Sequence, residues 1–374
     1  MPICRSCSLN ARGMRIGFSP ATLRGPLFWV LLLGWLLLAA GAAVAQAPAS
    51  PKARNFTRNA HVMGSHFTFT AVSADDSLAW RAIRAGIRET QRIDRLFSYW
   101  DSTSQITQVN RQAGIKPVVV EQEVYDLIQR TLKLSALSNG AFDITFAGGE
   151  KIYRFDRKEH ASLPAPEVVK ASVARIDYKK VLLDPATHSV MLQEKGMRMN
   201  LAGILQGYGV RKAQALMRQM GIQGGLINGS GDVSCWGWQG DGSLWRIAIG
   251  DPAFPQSVSS WLSVTDVAVV TAGNYEQYFT VQGKYYGHII DPHTGYPATG
   301  LRSVTIICPD VELADGLDEV VFVKGPEEGL AFINKLKGVD CTLITNEGRT
   351  LTSRGMAINY YSTQTPQAAA APTP

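Results

Sequence analysis

The sequence has little of what marks several common protein classes. Its 374 residues include five cysteines. Cys4 and Cys7 form a CxxC inside a basic, apolar N-terminal stretch, and Cys235, Cys308 and Cys341 remain. An odd number without ligand-like spacing excludes a disulfide scaffold and a cysteine metal site. Buried free thiols are expected, with one pair possible. No Lys/Arg stripe runs through the chain, which argues against nucleic acid as a partner. No fixed-period repeat is present, which excludes a solenoid.

Acidic residues are missing altogether before residue 46. Arg5, Arg12, Arg15 and Arg24 precede the apolar run PLFWVLLLGWLLLAAGAAVAQA, and Ala43-Val44-Ala45 supplies small residues for cleavage. Residues 1–45 therefore read as a secretory signal cleaved after Ala45. An uncleaved anchor is the alternative, because the run is nearly long enough to span a bilayer. The expected location is the periplasm or cell envelope, with membrane proximity in the anchored case. The chain holds 37 basic and 31 acidic residues; without the four leader arginines the balance is 33 to 31. The positive charge thus belongs largely to the leader.

What is present is a globular pattern. Residues 46–55 form an Ala/Pro/Ser linker, 56–360 a single domain, and 361–374 a tail too polar and proline-rich to build a core. HVMGSHFTFTAVS alternates as one half-buried strand does. SLAWRAIRAGIRETQRIDRLFS, EQEVYDLIQRTLKLSALSNG, PAPEVVKASVARI and AGILQGYGVRKAQALMRQMG carry helical patterns with glycine or proline at their ends. KKVLLD and SVMLQ predict a hairpin through PATH, as do DCTLIT and TLTSRG near the end. IQGGLINGSGDVSCWGW predicts strand, glycine-rich turn and strand. The expected class is α/β (α+β), with long helices packed on a largely antiparallel sheet.

Four stretches hold more glycine and polar residues than folding requires. In NLAGILQGYGV (200–210), a helix opening on small residues offers backbone N–H groups to a phosphate. Asn200 suits the cap, and Gln206 can reach a ligand from the next turn. Close helix packing through Ala202, Gly203 and Gly207 explains the same residues. NGSGDV (228–233) is an anion cradle with Asp232 as acceptor, or simply a tight hairpin. YYGHIIDPHTGYP (285–297) sets His288 three residues before Asp291, which is turn chemistry or a general-base pair. ELADGLDEVVF (312–322) spaces Asp315, Asp318 and Glu319 by three and four. Acids in a first turn suit the helix dipole. Three on one face, however, repel by a few tenths of a kcal/mol per pair, and a divalent cation removes that repulsion. All-oxygen donors suit Mg²⁺.

In this order and spacing, the stretches resemble the FAD:protein FMN transferases of the ApbE family. These are exported enzymes that use FAD and Mg²⁺ to attach FMN through a phosphoester to a threonine or serine of another protein. The resemblance runs from Met63 to about residue 355 and implies an ApbE-type fold. By it, Met63 of Met-Gly-Ser packs on the flavin, Tyr99 of FSYWDSTSQITQVN stacks on FAD, and Ala141, Phe142 and Asp143 of GAFDIT border the cofactor. Asn200 stands where Asp is usual and Gln206 where Lys is common; both are expected to contact FAD, together with Asp232 and Ile290. The carbonyl of Gly203 and the side chains of Asp315, Asp318 and Glu319 are the implied Mg²⁺ ligands. Glu319 replaces a threonine, the most serious departure, and Gly316 replaces an alanine at a cost of about 1 kcal/mol to the helix. The implied reaction transfers FMN from FAD to an acceptor hydroxyl with release of AMP, His288 and Asp291 taking the proton. Exported electron-transfer proteins are the implied acceptors. An FAD-binding protein that has lost transfer chemistry and a metal-dependent FAD pyrophosphatase are the alternatives.

Overall fold

A computed structural model describes residues 52–155, 162–251, 254–273 and 278–359. The signal segment, most of the linker and the tail lie outside the described residues. So does part of VVTAGNYEQYF.

HVMGSHFTFTAVS is not one strand. It holds the turn between β1 (Arg54–Val62) and β2 (Ser65–Ser73), paired with Val62 opposite Ser65. Met63 and Gly64 form the loop at φ 53° and 71°, the left-handed pair that a two-residue hairpin needs. Paired residues across this turn differ in parity, so the buried positions change from even in β1 (Phe56, Val62) to odd in β2 (Phe67, Phe69), and the pattern shifts phase at the loop.

The other strands are β3 (Val118–Val119), β4 (Val181–Asp184), β5 (Ser189–Leu192), β6 (Gly224–Gly229), β7 (Asp232–Trp236), β8 (Trp245–Asp251), β9 (Phe254–Val264), β10 (Val267–Gly273), β11 (Tyr278–Val281), β12 (Lys284–Gly287), β13 (Leu301–Cys308), β14 (Asp340–Thr345) and β15 (Thr350–Thr352). The main sheet has eight strands in the order β1-β2-β6-β7-β10-β13-β14-β15. Every pairing in it is antiparallel. The expected hairpin through PATH forms as β4–β5, and that at the C-terminal end as β14–β15.

The helices are α1 (Asp76–Phe97), α2 (Gln105–Arg111), α3 (Gln122–Leu137), α4 (Pro166–Ser172), α5 (Ala202–Gln219), α6 (Val311–Ile333) and α7 (Arg354–Asn359). α1 starts where the Asp75 carboxylate accepts from the Leu78 amide. It buries Ala79, Ile83, Ile93 and Phe97. α3 stops at Asn139 and Gly140, both with positive φ, as glycine after a helix allows. α6 breaks at Gly325 (φ 73°) before Pro326, so its two halves meet at a kink. Gly316, costly to an isolated helix, has a packing reason: a Cβ there would collide with Leu134 of α3.

One face of the sheet carries the main core, shared with α1, α5 and α6. The β8–β9 ribbon covers the other, where Trp245, Ile247 and Leu262 pack on Val233, Cys235 and Val269. Strand parity then decides the fate of β7. Val233 and Cys235 face the ribbon, while Asp232, Ser234 and Trp236 face the helices. Ser234 bonds Gln214 of α5, and Trp236 joins the main core. All three cysteines among the described residues are free and buried.

Candidate active site

The site is built where α5 starts. The Asn200 amide donates to Ile144 O at 2.8 Å, and its Oδ1 accepts from the Ala202 amide at 3.0 Å. Gly203 leaves helical geometry at φ −78°, ψ 18°. A Cβ on Gly203 would meet Glu319 Cγ at 3.3 Å and Phe142 Cε2 at 3.4 Å. One on Gly207 would lie 2.5 Å from Val311 O and 2.7 Å from Asp315 Cβ. Close packing is therefore real here, and it presses α6 against the start of α5. The Gly207 amide, which an unbroken helix commits to the Gly203 carbonyl, donates to Asp315 Oδ2 at 2.7 Å.

That approach encloses four carboxylates. Asp315 and Asp318 are buried on α6, and Asp232 is buried at the start of β7. Glu319 is half-buried as a residue, with its carboxyl packed among protein atoms. Loss of water drives Asp232 up to about 7, with the Glu319 charge adding to it. Burial likewise lifts Glu319 to about 7. Asp315 is raised well above the usual carboxylate range by burial and then by Asp232; Asp318 follows, by burial and then by Asp315. Asp232 Oδ2 is enclosed with no hydrogen-bond partner. Buried charge of one sign needs compensation. The orphaned oxygen and the all-oxygen donor set fit a hard divalent cation. The carboxylates interact without being gathered: among the described residues, no three Asp, Glu, His or Cys side chains meet at the spacing of an assembled ion site.

The remaining expected site residues are held in different ways. Met63 lies over Gly209 of α5, where a Cβ would meet its Cε at 2.8 Å. Gln206 accepts from Ser65 Oγ at 3.3 Å and donates Nε2–H to the Gly229 carbonyl. It thereby clasps the β1–β2 and β6–β7 turns to α5. Gln206→Ala is expected to cost about 1–2 kcal/mol and lower the melting midpoint by a few degrees. A calorimetric scan with an unchanged midpoint would refute the clasp.

Ala141 and Phe142 are buried. Asp143 Oδ1 accepts from the Thr145 amide and hydroxyl, and Oδ2 from the Tyr178 amide at 2.8 Å. With both oxygens so engaged, Asp143 braces one wall of a cleft of about 440 Å³ that also borders Gly140, Lys179 and His293. Tyr99 is half-buried, its ring edge-on to Trp100 at 5.0 Å. Ile290 bridges to Pro297.

Asp291 has a histidine neighbour that the sequence did not single out. Asp291 accepts from the His293 amide at 2.9 Å and the Thr294 hydroxyl at 2.8 Å, and its Oδ1 lies 3.1 Å from His293 Nδ1. His293 Nε2 is 2.9 Å from Asn139 O. Both partners of that ring, Asp291 Oδ1 and Asn139 O, are acceptors. His288 is exposed and sets its ring edge-on to Phe155 at 6.5 Å. The Asx turn inside DPHTG was the signal for His293, since an aspartate commonly bonds the amide two residues on.

A second charged group adjoins the carboxylates, and sequence reasoning missed it. Glu312, buried in the first turn of α6, receives Arg130 and Arg211 at 2.7 Å each. Both guanidinium carbons lie within 5.6 Å of the centre of the Tyr208 ring, and Tyr208 donates its hydroxyl to Glu123 at 2.6 Å. Glu123 also takes Arg92 and Lys212.

The ApbE family pattern matches residues 63–343. An FAD:protein FMN transferase of Klebsiella pneumoniae (strain 342) is 32% identical over 78% of this chain and 90% of its own length. One from Treponema pallidum (strain Nichols) is 34% identical over 68% of this chain and 74% of its own. Among solved structures, the ApbE protein of Thermotoga maritima superposes with a TM-score of 0.74 at 28% identity, over 82% of this chain and 99% of that one. The apo flavinyl transferase ApbE of Pseudomonas stutzeri gives 0.68 at 26%, over 82% and 96%.

Proposed function

Because the chain belongs to the ApbE family and its activity is FAD:protein FMN transfer, we propose that it works with Mg²⁺ held by Asp315, Asp318, Glu319 and the Gly203 carbonyl. The acceptor we propose is a threonine or serine hydroxyl of an exported electron-transfer protein. The observation that carries this is the enclosed set of four carboxylates, one with an orphaned oxygen, pressed against the glycine start of α5. When bound there, the cation supplies Lewis-acid polarisation of the FMN phosphoryl group and charge neutralisation for departing AMP.

The chain's own groups do the rest. Backbone amides at the start of α5 face the pyrophosphate of FAD. Met63, Tyr99, Ala141, Phe142 and Ile290 offer apolar surface to its rings, while Asn200 and Asp232 offer hydrogen-bonding oxygens. The acceptor oxygen bonds to the FMN phosphorus as the bond from that phosphorus to the AMP oxygen breaks. The hydroxyl proton passes to His288, whose exposure leaves it open to an incoming protein. The arginine-rich leader ending in Ala43-Val44-Ala45 supports export to the periplasm or cell envelope.

The test is incubation with FAD, Mg²⁺ and an acceptor domain, following acceptor mass and AMP. An acceptor that gains one FMN residue, with AMP released in step and both lost in EDTA, is the expected result. AMP and free FMN with an unmodified acceptor would mean hydrolysis and overturn the reading. Transfer undiminished in EDTA would remove the cation from it.

A further inference from the structure

We propose that Glu312, Arg130 and Arg211 are positioning residues for the cation site, acting by fixing the first turn of α6 in register with α5; the inference rests on the cation reading above. Two rungs join these helices. The Gly207 amide donates to Asp315 Oδ2 at 2.7 Å, and Arg211 reaches Glu312 Oε2 at 2.7 Å. Residues 207 and 211 are four apart on α5, and 312 and 315 three apart on α6, so each pair shares a helix face. As the number rises on one helix it falls on the other, which makes the two rungs an antiparallel lock one turn long.

A third element holds the lock from the side. Arg130 of α3 gives Glu312 a two-point contact, Nε at 2.7 Å and a terminal nitrogen at 3.3 Å. Its guanidinium carbon lies 5.6 Å from the centre of the Tyr208 ring, and that of Arg211 lies 5.5 Å from it. Tyr208 directly follows Gly207, so the ring and the amide that holds Asp315 are set by the same turn of backbone.

Stability alone does not account for the arrangement. Glu312 sits in a first helical turn, where the dipole already favours an anion. One arginine neutralises it, yet two are present. Arg211 is kept although its Nε is enclosed without a hydrogen-bond partner, which is unfavourable for a buried donor. The surplus positive charge stands one turn from the surplus negative charge of Asp315, Asp318, Glu319 and Asp232. What the triad fixes is where Asp315 and Asp318 point.

Arg211→Met tests this, because Glu312 keeps its fork to Arg130 and no carboxylate is left bare. Mg²⁺ alone, without FAD, is titrated calorimetrically into the full-length protein and the variant, and thermal melts are recorded beside it. The variant is expected to melt cooperatively and to bind Mg²⁺ about tenfold more weakly, the loss typical of removing a group that orients metal ligands. In the transfer assay, half-activation should then need more Mg²⁺ while the rate at saturating Mg²⁺ recovers, a split that mere loosening of the fold does not give. Equal Mg²⁺ affinity in variant and unaltered protein overturns this proposal and leaves the cation reading standing. Absence of Mg²⁺ binding by the unaltered protein sinks both. If Arg211→Met does not fold, the same titration on Arg130→Met/Arg211→Met/Glu312→Leu decides, since apolar replacement of a buried ion triad commonly preserves folding. A triad variant that fails to fold as well would make the triad a folding element and overturn the positioning role.

Discussion

Replacing Asp315 by asparagine should lower FMN transfer by about 10³-fold or more while raising the melting temperature of the metal-free protein. Asparagine keeps the shape and an oxygen that can accept from the Gly207 amide, a bond of 2.7 Å in the native site. It removes one negative charge from an enclosed set in which Asp315 is disfavoured by burial and by Asp232 and Glu319. The native carboxylate is thus unfavourable for folding and is kept for what it binds, the pattern of a site that gives up stability for function. Acceptor mass after incubation with FAD and Mg²⁺ reads the first effect, and calorimetry in EDTA reads the second. Transfer within tenfold of the unaltered protein would remove Asp315 from the ligand set. A lower melting temperature in EDTA would show that repulsion in the cluster is not what limits stability.

The second large effect is on pH dependence. The metal-free protein should lose stability as pH rises from about 5 to about 8, the reverse of a protein held by salt-bridged carboxylates. Burial, helped at Asp232 by the Glu319 charge, lifts Asp232 and Glu319 from 3.8 and 4.5 to about 7. The folded state therefore keeps protons in this window that the unfolded chain has released. Stability falls with pH wherever the native state binds more protons. The benefit is full below the unfolded values and gone above the folded ones. Asp315 and Asp318 shift in the same direction. The four interact, so they titrate as a set rather than as a sum of independent sites.

Glu123 works in the opposite sense. Burial opposes its charge, but the bonds from Arg92, Tyr208 and Lys212 prevail and hold it at about 2. Its contribution is lost only as pH falls from the ordinary carboxylate value toward 2, outside the window. Melting temperatures at pH 5 and pH 8 in EDTA should differ by several degrees, and saturating Mg²⁺ should flatten the difference. A midpoint that rises with pH in EDTA would contradict the burial of this charge.

Much of the site was legible because its signals are local. The spacing of Asp315, Asp318 and Glu319 along one helix is a property of little more than one turn of sequence, and the structure keeps them together on α6. The small residues of NLAGILQGYGV announced a close approach, and α6 is what approaches. Gly316 shows the limit of local reasoning: as a helix residue it is a defect, and only Leu134 on another helix explains it. The hairpin in HVMGSHFTFTAVS was missed although the buried positions change parity at its turn. His293 was not singled out, although the turn motif that places it beside Asp291 lay in plain view.

Glu312 was legible as one more acid in a helix start. Its partners were not: Arg130 lies 182 residues away in sequence, and nothing in the local pattern of α3 distinguishes it from a solvated arginine. Gln206 is a similar case. Its residue type suggested a ligand contact, while the fold brings Ser65 and the Gly229 carbonyl to its two ends.

By itself the sequence determined the secondary-structure alphabet, the antiparallel bias of the sheet, and which short stretches carry chemistry, since all of these follow from periods, turn residues and spacings within a few turns of chain. Only the tertiary structure decided that Asp232, from a strand start 79 residues before α6, joins the carboxylates of that helix. It also decided that their charge is shut away from water. The physical reason is that a carboxylate's cost depends on its surroundings rather than on its identity. The same Asp and Glu residues on an exposed helix would be ordinary; enclosed beside two glycines their charge is costly and shifts them upward.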